Sequence, residues 1–346
     1  MRTIIGLAMG LLLVSAIGCS DGAGSGGTAG GASSSSGDHG AGGSGGGDPG
    51  PTPDAACTDA AKSSCERDQS CTNGFVVSLV FGDMDTCVAV KKASCLAALE
   101  APDTGSTPAT KEACAEDTPK ESCVDFFDLS AAGACDTPVG AREDGEPCGA
   151  AAQCKSTFCA VPSGAVCGTC AALPNVGAAC STLLDCAPGQ ICNTNTSTCQ
   201  LPVKEGGACS YDAVCDTFLG CDDGGTGSGN GTCKALPAKV GAACDPNVGC
   251  DVLRGFLCWP SSNTCGVISL AKPGETCGLV GDTSYALCAS DAICDMAGGQ
   301  TGTCVVPVGE GEACDTHFGP SCETGLTCVG EDGTGKCQKF DPAACH

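Results

Sequence analysis

The chain has little of what large cores and catalytic sites are made from. Its 346 residues hold nine Phe, two Tyr and one Trp, against 53 Gly. That excludes one large apolar core, because the 42% hydrophobic share is inflated by Ala and Cys. Three histidines, His39, His317 and His346, are scattered, and none has an evident nucleophile or carboxylate partner in sequence. No acid–base constellation or cofactor motif stands out, so the sequence points away from an enzyme. Basic residues are also scarce, with 16 Lys and Arg against 40 Asp and Glu and a net charge of −24. This balance argues against nucleic acid as a partner and leaves room for cations or basic partners.

Cysteine is abundant instead, with 35 in the chain. Setting Cys19 aside leaves an even number. Cysteine at this density is the composition of a disulfide scaffold made in an oxidising compartment. Small modules of this kind fold because bridges restrict the unfolded chain, at ~2–4 kcal/mol each.

Residues 1–18 have the form of an export signal: Arg2 is the positive start, and Ile4 to Val14 form a short apolar run. Ala16 and Gly18 then precede Cys19. A cysteine directly after a small residue resembles the lipobox of bacterial lipoproteins, although Ala16 stands where that family prefers Leu. The resemblance implies lipidation of Cys19, which becomes the mature first residue, and attachment to the outer membrane or cell surface, facing outward or toward the periplasm. Residues 19–54 then read as a Gly/Ser-rich tether with a reach of roughly 30–35 Å. Gly42 to Gly46 fits a nucleophile-elbow pattern by chance, since neither a strand nor a helix is plausible around it.

Residues 55–139 are expected to form an α-helical cysteine-rich domain on Cys57, Cys65, Cys71, Cys87, Cys95, Cys114, Cys123 and Cys135. Cys57 and Cys65 are eight apart, as are Cys87 and Cys95, so each pair can share one broad helix face. Asp83 and Thr107-Pro108 mark helix starts, and Thr118-Pro119 marks another running to about Leu129. Phe75, Phe81, Phe126 and Phe127 are the expected core.

From residue 140 to 346 the texture changes to repeats. Cys148, Cys180, Cys209, Cys244, Cys277 and Cys314 lead units separated by 32, 29, 35, 33 and 37 residues, each with Gly three positions earlier. The units span about 141–174, 175–203, 204–239, 240–272, 273–308 and 309–346. The first also holds Cys154, Cys159, Cys167 and Cys170, and the second Cys186, Cys192 and Cys199. The third holds Cys215, Cys221 and Cys233, and the fourth Cys250, Cys258 and Cys265. The fifth holds Cys288, Cys294 and Cys304, the sixth Cys322, Cys328 and Cys337, and Cys345 follows. The Gly-x-x-Cys, x5, Cys pattern resembles the Dickkopf N-terminal cysteine-rich domain and EB-type modules, a likeness of fold that carries no signalling role. The expected fold is a set of small disulfide-rich modules: a short α-helical cysteine-rich domain, then an elongated array of six short β-hairpin or loop repeats. Pairing within repeats is expected, for instance Cys180 with Cys192 and Cys186 with Cys199, among three pairings per repeat. Cys170 is expected to reach a neighbouring unit, and Cys345 the last one.

Other chemistry is weakly signalled. Only Cys167-Gly-Thr-Cys170 has zinc-type or redox-dithiol spacing, and it lies inside a repeat with no evident helix after it. Gly330 to Cys337 nearly fits a phosphate loop, but Cys337 replaces the hydroxyl and Glu331 and Asp332 would repel phosphate. Asp222-Asp223 and Glu331-Asp332 are acidic loop tips of a kind that can bind calcium. No metal or cofactor is assigned. The reading is a lipid-anchored, non-catalytic binding, adhesive or structural surface protein with a protein or polysaccharide partner. The alternatives are an enzyme or enzyme inhibitor built on the helical domain, and a calcium-binding surface module.

Overall fold

The computed structural model describes residues 50–346 apart from 131–132, 163–164, 181–184, 227–228, 247, 281–283, 297, 317–318, 331–332 and 340. A short helical region comes first. Helix α1 (Pro53–Thr72) begins where the Thr52 hydroxyl accepts from the Ala55 N–H, with Pro53 at the first helical position. Helix α2 (Phe75–Val80) follows a left-handed turn at Asn73 and Gly74. Helix α3 (Met84–Glu100) is capped by Asp83, whose carboxylate accepts from the Thr86 N–H. Helix α4 (Pro108–Asp117) starts with a capping box between Thr107 and Thr110. The segment after Thr118-Pro119 is not one helix: a 3-10 turn at Thr118–Lys120 breaks, Ser122 caps anew, and α5 (Cys123–Phe127) is short.

The eight-residue cysteine spacing has a direct structural use. Helices α1 and α3 are zipped together by Cys57–Cys95 and Cys65–Cys87, so equal spacings meet in opposite order. Cys71–Cys123 and Cys114–Cys135 tie in the later elements. A buried ion pair lies between the same helices: Lys91 Nζ is 2.7 Å from Asp68 Oδ2 and donates to Ser64.

The core of this hub is aliphatic more than aromatic. Val76, Val77, Val80, Phe81, Cys65 and Cys87 are buried together. Of the four expected phenylalanines only Phe81 is fully inside; Phe75, Phe126 and Phe127 are half-buried. The reason is that Leu253 and Phe218, from far along the chain, complete the cluster.

Beyond residue 140 come short strands, mostly antiparallel, cross-linked by disulfides. Three-stranded sheets form from Pro147–Cys148, Gly168–Cys170 and Cys159–Ala160, from Ala208–Cys209, Gly231–Ala235 and Leu219–Asp222, and from Ala313–Asp315, Thr334–Lys339 and Leu326–Val329. Ile191–Asn193 and Thr198–Gln200 make a hairpin. Between residues 256 and 305 six strands merge into one sheet, through a parallel pairing of Thr264–Ala271 with Tyr285–Cys288.

Bridges interleave in a recurring way. Cys180 bonds Cys192 and Cys186 bonds Cys199. The same order holds in Cys209–Cys221 with Cys215–Cys233, and in Cys244–Cys258 with Cys250–Cys265. It holds again in Cys277–Cys294 with Cys288–Cys304, and in Cys314–Cys328 with Cys322–Cys337. The glycine ahead of each leading cysteine has a backbone reason. Gly206 has φ 80°, and a Cβ there would meet nothing within 4 Å, so conformation and not space demands glycine. Its N–H donates to the Cys233 carbonyl at 2.8 Å. The equivalent bonds, Gly145 to Cys170, Gly177 to Cys199, Gly241 to Cys265, Gly274 to Cys304 and Gly311 to Cys337, measure 2.7–2.8 Å.

Three sequence expectations are corrected here: the partner of Cys170, the partner of Cys345 and the elongated shape. Cys170 stays within its own unit, bonded to Cys154 beside Cys148–Cys159, and the fifth cysteine, Cys167, bonds Cys345 across a separation of 178 residues. The cysteine-rich part is therefore not an elongated rod. It bends back and closes around the helical hub as a collar.

Candidate functional site

Side chains and backbone bonds fasten the collar to the hub along a continuous seam. Gln153 Nε2 donates to the Pro102 carbonyl at 2.8 Å, and the Gly189 N–H to the Asp128 carbonyl at 3.0 Å. Arg254 Nε donates to the Cys71 carbonyl at 3.0 Å while its guanidinium lies 4.9 Å from the Phe218 ring centroid. The Ser290 N–H donates to the Leu79 carbonyl at 2.7 Å. Arg142 pairs with Asp103 at 3.1 Å and donates to the Cys345 carbonyl at 2.7 Å, holding the closing end of the collar.

The chemically distinctive part of the seam is acidic. Asp128 ends α5, its N–H donating to the Val124 carbonyl at 2.8 Å, and α5 is pinned by Cys71–Cys123. Phe127 beside it meets Phe218 edge-on at 5.5 Å. That contact brings up Asp216, in a turn fixed by Asp216 N–H to Val203 carbonyl (2.9 Å) and Leu219 N–H to Asp216 carbonyl (3.0 Å). Asp128 and Asp216 are 2% and 3% exposed, and their carboxyls lie within hydrogen-bond reach of one another. The Thr217 hydroxyl donates to Asp128 Oδ1, and Lys204 Nζ sits 2.7 Å from Asp216 Oδ2. Burial first, then the facing Asp216, pushes the Asp128 carboxyl up to about 7, with Thr217 and Lys204 acting in opposition. The hydrogen bond to Asp216 raises Lys204 in turn.

Two further seam acids follow the same logic. Burial pushes Asp291 up to about 6, and a hydrogen bond with Thr324 partly offsets it. Burial also raises Asp251, against its ion pair with Arg254 at 3.0 Å.

The surface carries shallow grooves. One of 640 Å³ is lined by Ala109, Thr110, Ala113, Thr137, Pro138 and Val139. Another of 370 Å³ lies where hub meets collar, between Phe81, Asp83, Pro273, Val306, Pro307 and Glu323.

The residues singled out from sequence are placed as follows. Cys19, His39, the Gly42 to Gly46 pattern, His317, Glu331 and Asp332 lie outside the described residues. Among the described residues no helix is long and apolar enough to cross a membrane. Cys167 and Cys170 bond different partners, so they are not one redox dithiol. Cysteine sulfurs do cluster in threes, as at Cys148, Cys154 and Cys170, but they belong to adjacent bridges and offer no thiolate to a metal. Asp222 pairs with Lys234 at 2.5 Å and accepts from the Gly224 N–H, and Asp223 accepts from Gly225 and Gly229, so this acidic tip closes its own turn. Sequence reasoning missed Asp128, Asp216, Asp251 and Asp291. A partial signal was present: Asp directly follows the second cysteine of its unit at Cys215-Asp216 and Cys250-Asp251.

No protein-family model, no curated protein and no solved structure matches this chain. The lipobox resemblance rests on the residues around Cys19, and the Dickkopf-like one on the spacing of cysteines and glycines.

Proposed function

We propose that this chain is a lipid-anchored envelope protein whose disulfide-braced body presents a non-catalytic binding surface to a protein or polysaccharide partner. In this reading Cys19 is acylated, the Gly/Ser-rich segment expected over residues 19–54 acts as a spacer up to the start of α1, and the cysteine-rich part is a tandem array of six Dickkopf-like units. The observation that carries it is the closed collar: Cys167–Cys345 and the seam bonds fix the units against one hub. A surface held this way is ordered before binding, which lowers the entropic cost of association. The net charge of −24 favours a partner with basic groups.

Membrane fractionation and ligand capture test the two halves separately. Cys19→Ser should move the protein from the membrane to the soluble fraction and abolish fatty-acid labelling; unchanged membrane attachment refutes the anchor. The oxidised, membrane-extracted protein should retain a defined envelope protein or polysaccharide after cross-linking on intact cells. Turnover of a substrate by the purified protein, with no partner recovered, refutes the non-catalytic reading.

A further inference from the structure

We propose that the Asp128–Asp216 contact is a proton-operated latch between hub and collar: one proton shared by two buried carboxyls closes the seam, and its loss opens the segment around Asp216. The argument begins with charge. Two carboxyls face each other away from water, and the cation that acts on Asp128 is Lys204, which is itself paired with Asp216. Lys204 is bound to Asp216, its side chain is 70% exposed, and it also feels Asp125 on the hub side. One exposed ammonium does not neutralise two buried carboxylates, and two unpaired carboxylates in contact repel strongly.

The hydrogen-bond inventory leads to the same place. Asp128 Oδ1 accepts from Thr217 and Asp216 Oδ2 is taken by Lys204. Asp128 Oδ2 and Asp216 Oδ1 are buried with no donor from any other described group. An ionised carboxylate only accepts, so the pair lacks a donor unless one carboxyl is protonated. A proton on either satisfies both. The latch is also well placed mechanically. Asp128 is in the hub and accepts the collar's Gly189 N–H on its carbonyl, while Asp216 and Thr217 are in the collar beside Phe218, which reaches into the hub core.

The sign follows from linkage. With the seam open, an aspartate titrates near 3.8; closed, the Asp128 carboxyl is pushed up to about 7. The proton's contribution is complete below about pH 4, falls roughly tenfold in equilibrium constant per pH unit from there to about 7, and is gone above.

The full oxidised chain can be tested by carboxyl NMR and by hydrogen exchange at Gly189, corrected for intrinsic rates. The wild type should show an aspartate titrating near pH 7, and Gly189 opening should rise about tenfold per pH unit between 4 and 7. Asp128→Asn supplies a permanent donor to Asp216 and should remove both signals; Asp216→Asn should do the same if the first variant folds poorly. Lys204→Met should move the midpoint higher, which a purely structural role would not do. The proposal is overturned if the slope survives in Asp128→Asn, or if Gly105, whose N–H donates to the Ala152 carbonyl at 2.7 Å in a different seam contact, opens with the same slope. Recovery of Gly189 protection by calcium chloride at pH 8 would assign the pair to a metal and would equally overturn it.

Discussion

Replacing Cys167 and Cys345 together by Ser should open the collar while leaving its units folded. The other bridges in this part of the chain close separations of 11 to 18 residues, whereas Cys167–Cys345 spans 178. In the chain-entropy account a short loop of that kind contributes about 3 kcal/mol, and the long one about 5 kcal/mol. The remaining bridges shorten the long loop in the unfolded chain, but the dependence is logarithmic and removes only a few tenths of a kcal/mol. At about 2.1 cal/mol/K per residue over a body of roughly 300 residues, the loss corresponds to a melting temperature roughly 8 °C lower. Calorimetry of the oxidised variant reads that shift. Solution scattering at low temperature should show a larger radius of gyration, because non-covalent contacts, such as the Arg142 hydrogen bond and the packing of Pro342 against Gly149, then hold the end. Non-reducing peptide mapping should find a Cys167–Cys345 peptide in the wild type. Its absence, or a variant with unchanged melting and dimensions, would refute the closed collar.

Gly206→Ala should cost about 1–2 kcal/mol, read as a lower denaturation midpoint, because alanine is strained at φ 80° although a Cβ has room there. Asp68→Ala should cost about 3–5 kcal/mol in the same assay by leaving the Lys91 ammonium buried without its partner, and a loss within 1 kcal/mol would count against a buried pair. Asp291 is raised toward 6 by burial, so the stability it confers is complete below about pH 4 and lost as pH rises through 6. Asp291→Asn should therefore flatten the stability profile between pH 4 and 6, where the wild type loses up to about 1.4 kcal/mol per pH unit from this group.

Much of the local structure was legible because cysteine and glycine act through short-range geometry. Two eight-residue spacings suffice to zip antiparallel helices, and a glycine three positions before a leading cysteine marks a left-handed turn that bonds the unit's last cysteine. The pairing of Cys180 with Cys192 is local in the same way. What spacing cannot carry is closure across the chain. The odd fifth cysteine, Cys167, could be counted, but nothing near it names Cys345. Packing of Leu253 and Phe218 against the hub core was equally hidden, since each looks like an isolated apolar residue in its own unit. Asp128 and Asp216 stood among forty acids, and only the fold sets them face to face.

The scarcity of aromatic residues and the closed shape have one cause. At Cys148, Cys154 and Cys170 the buried cluster is cystine alone, and the clusters at Cys209 and Cys314 add only partly buried Val and Leu. Such a unit is held in shape by its bridges but has almost no apolar face of its own to bury. The larger apolar side chains it can spare, Phe218 and Leu253, go to the hub, where Phe81 and Phe127 wait with an incomplete core. Each side thus lacks what the other supplies: the hub needs apolar volume, and the units need a surface to be fixed against. Arginine is distributed by the same demand. Arg67, Arg142 and Arg254 all reach backbone carbonyls in other segments, at Glu121, Cys345 and Cys71, so they act as clamps between elements. A chain assembled this way presents a composite outer surface, in which units are positioned by the hub and, at the six-stranded sheet and at Cys167–Cys345, by one another. Under the proposed binding role, a ligand spanning the second and third units depends on the seam, and the proposed latch at Asp128 and Asp216 acts on it from beneath the surface.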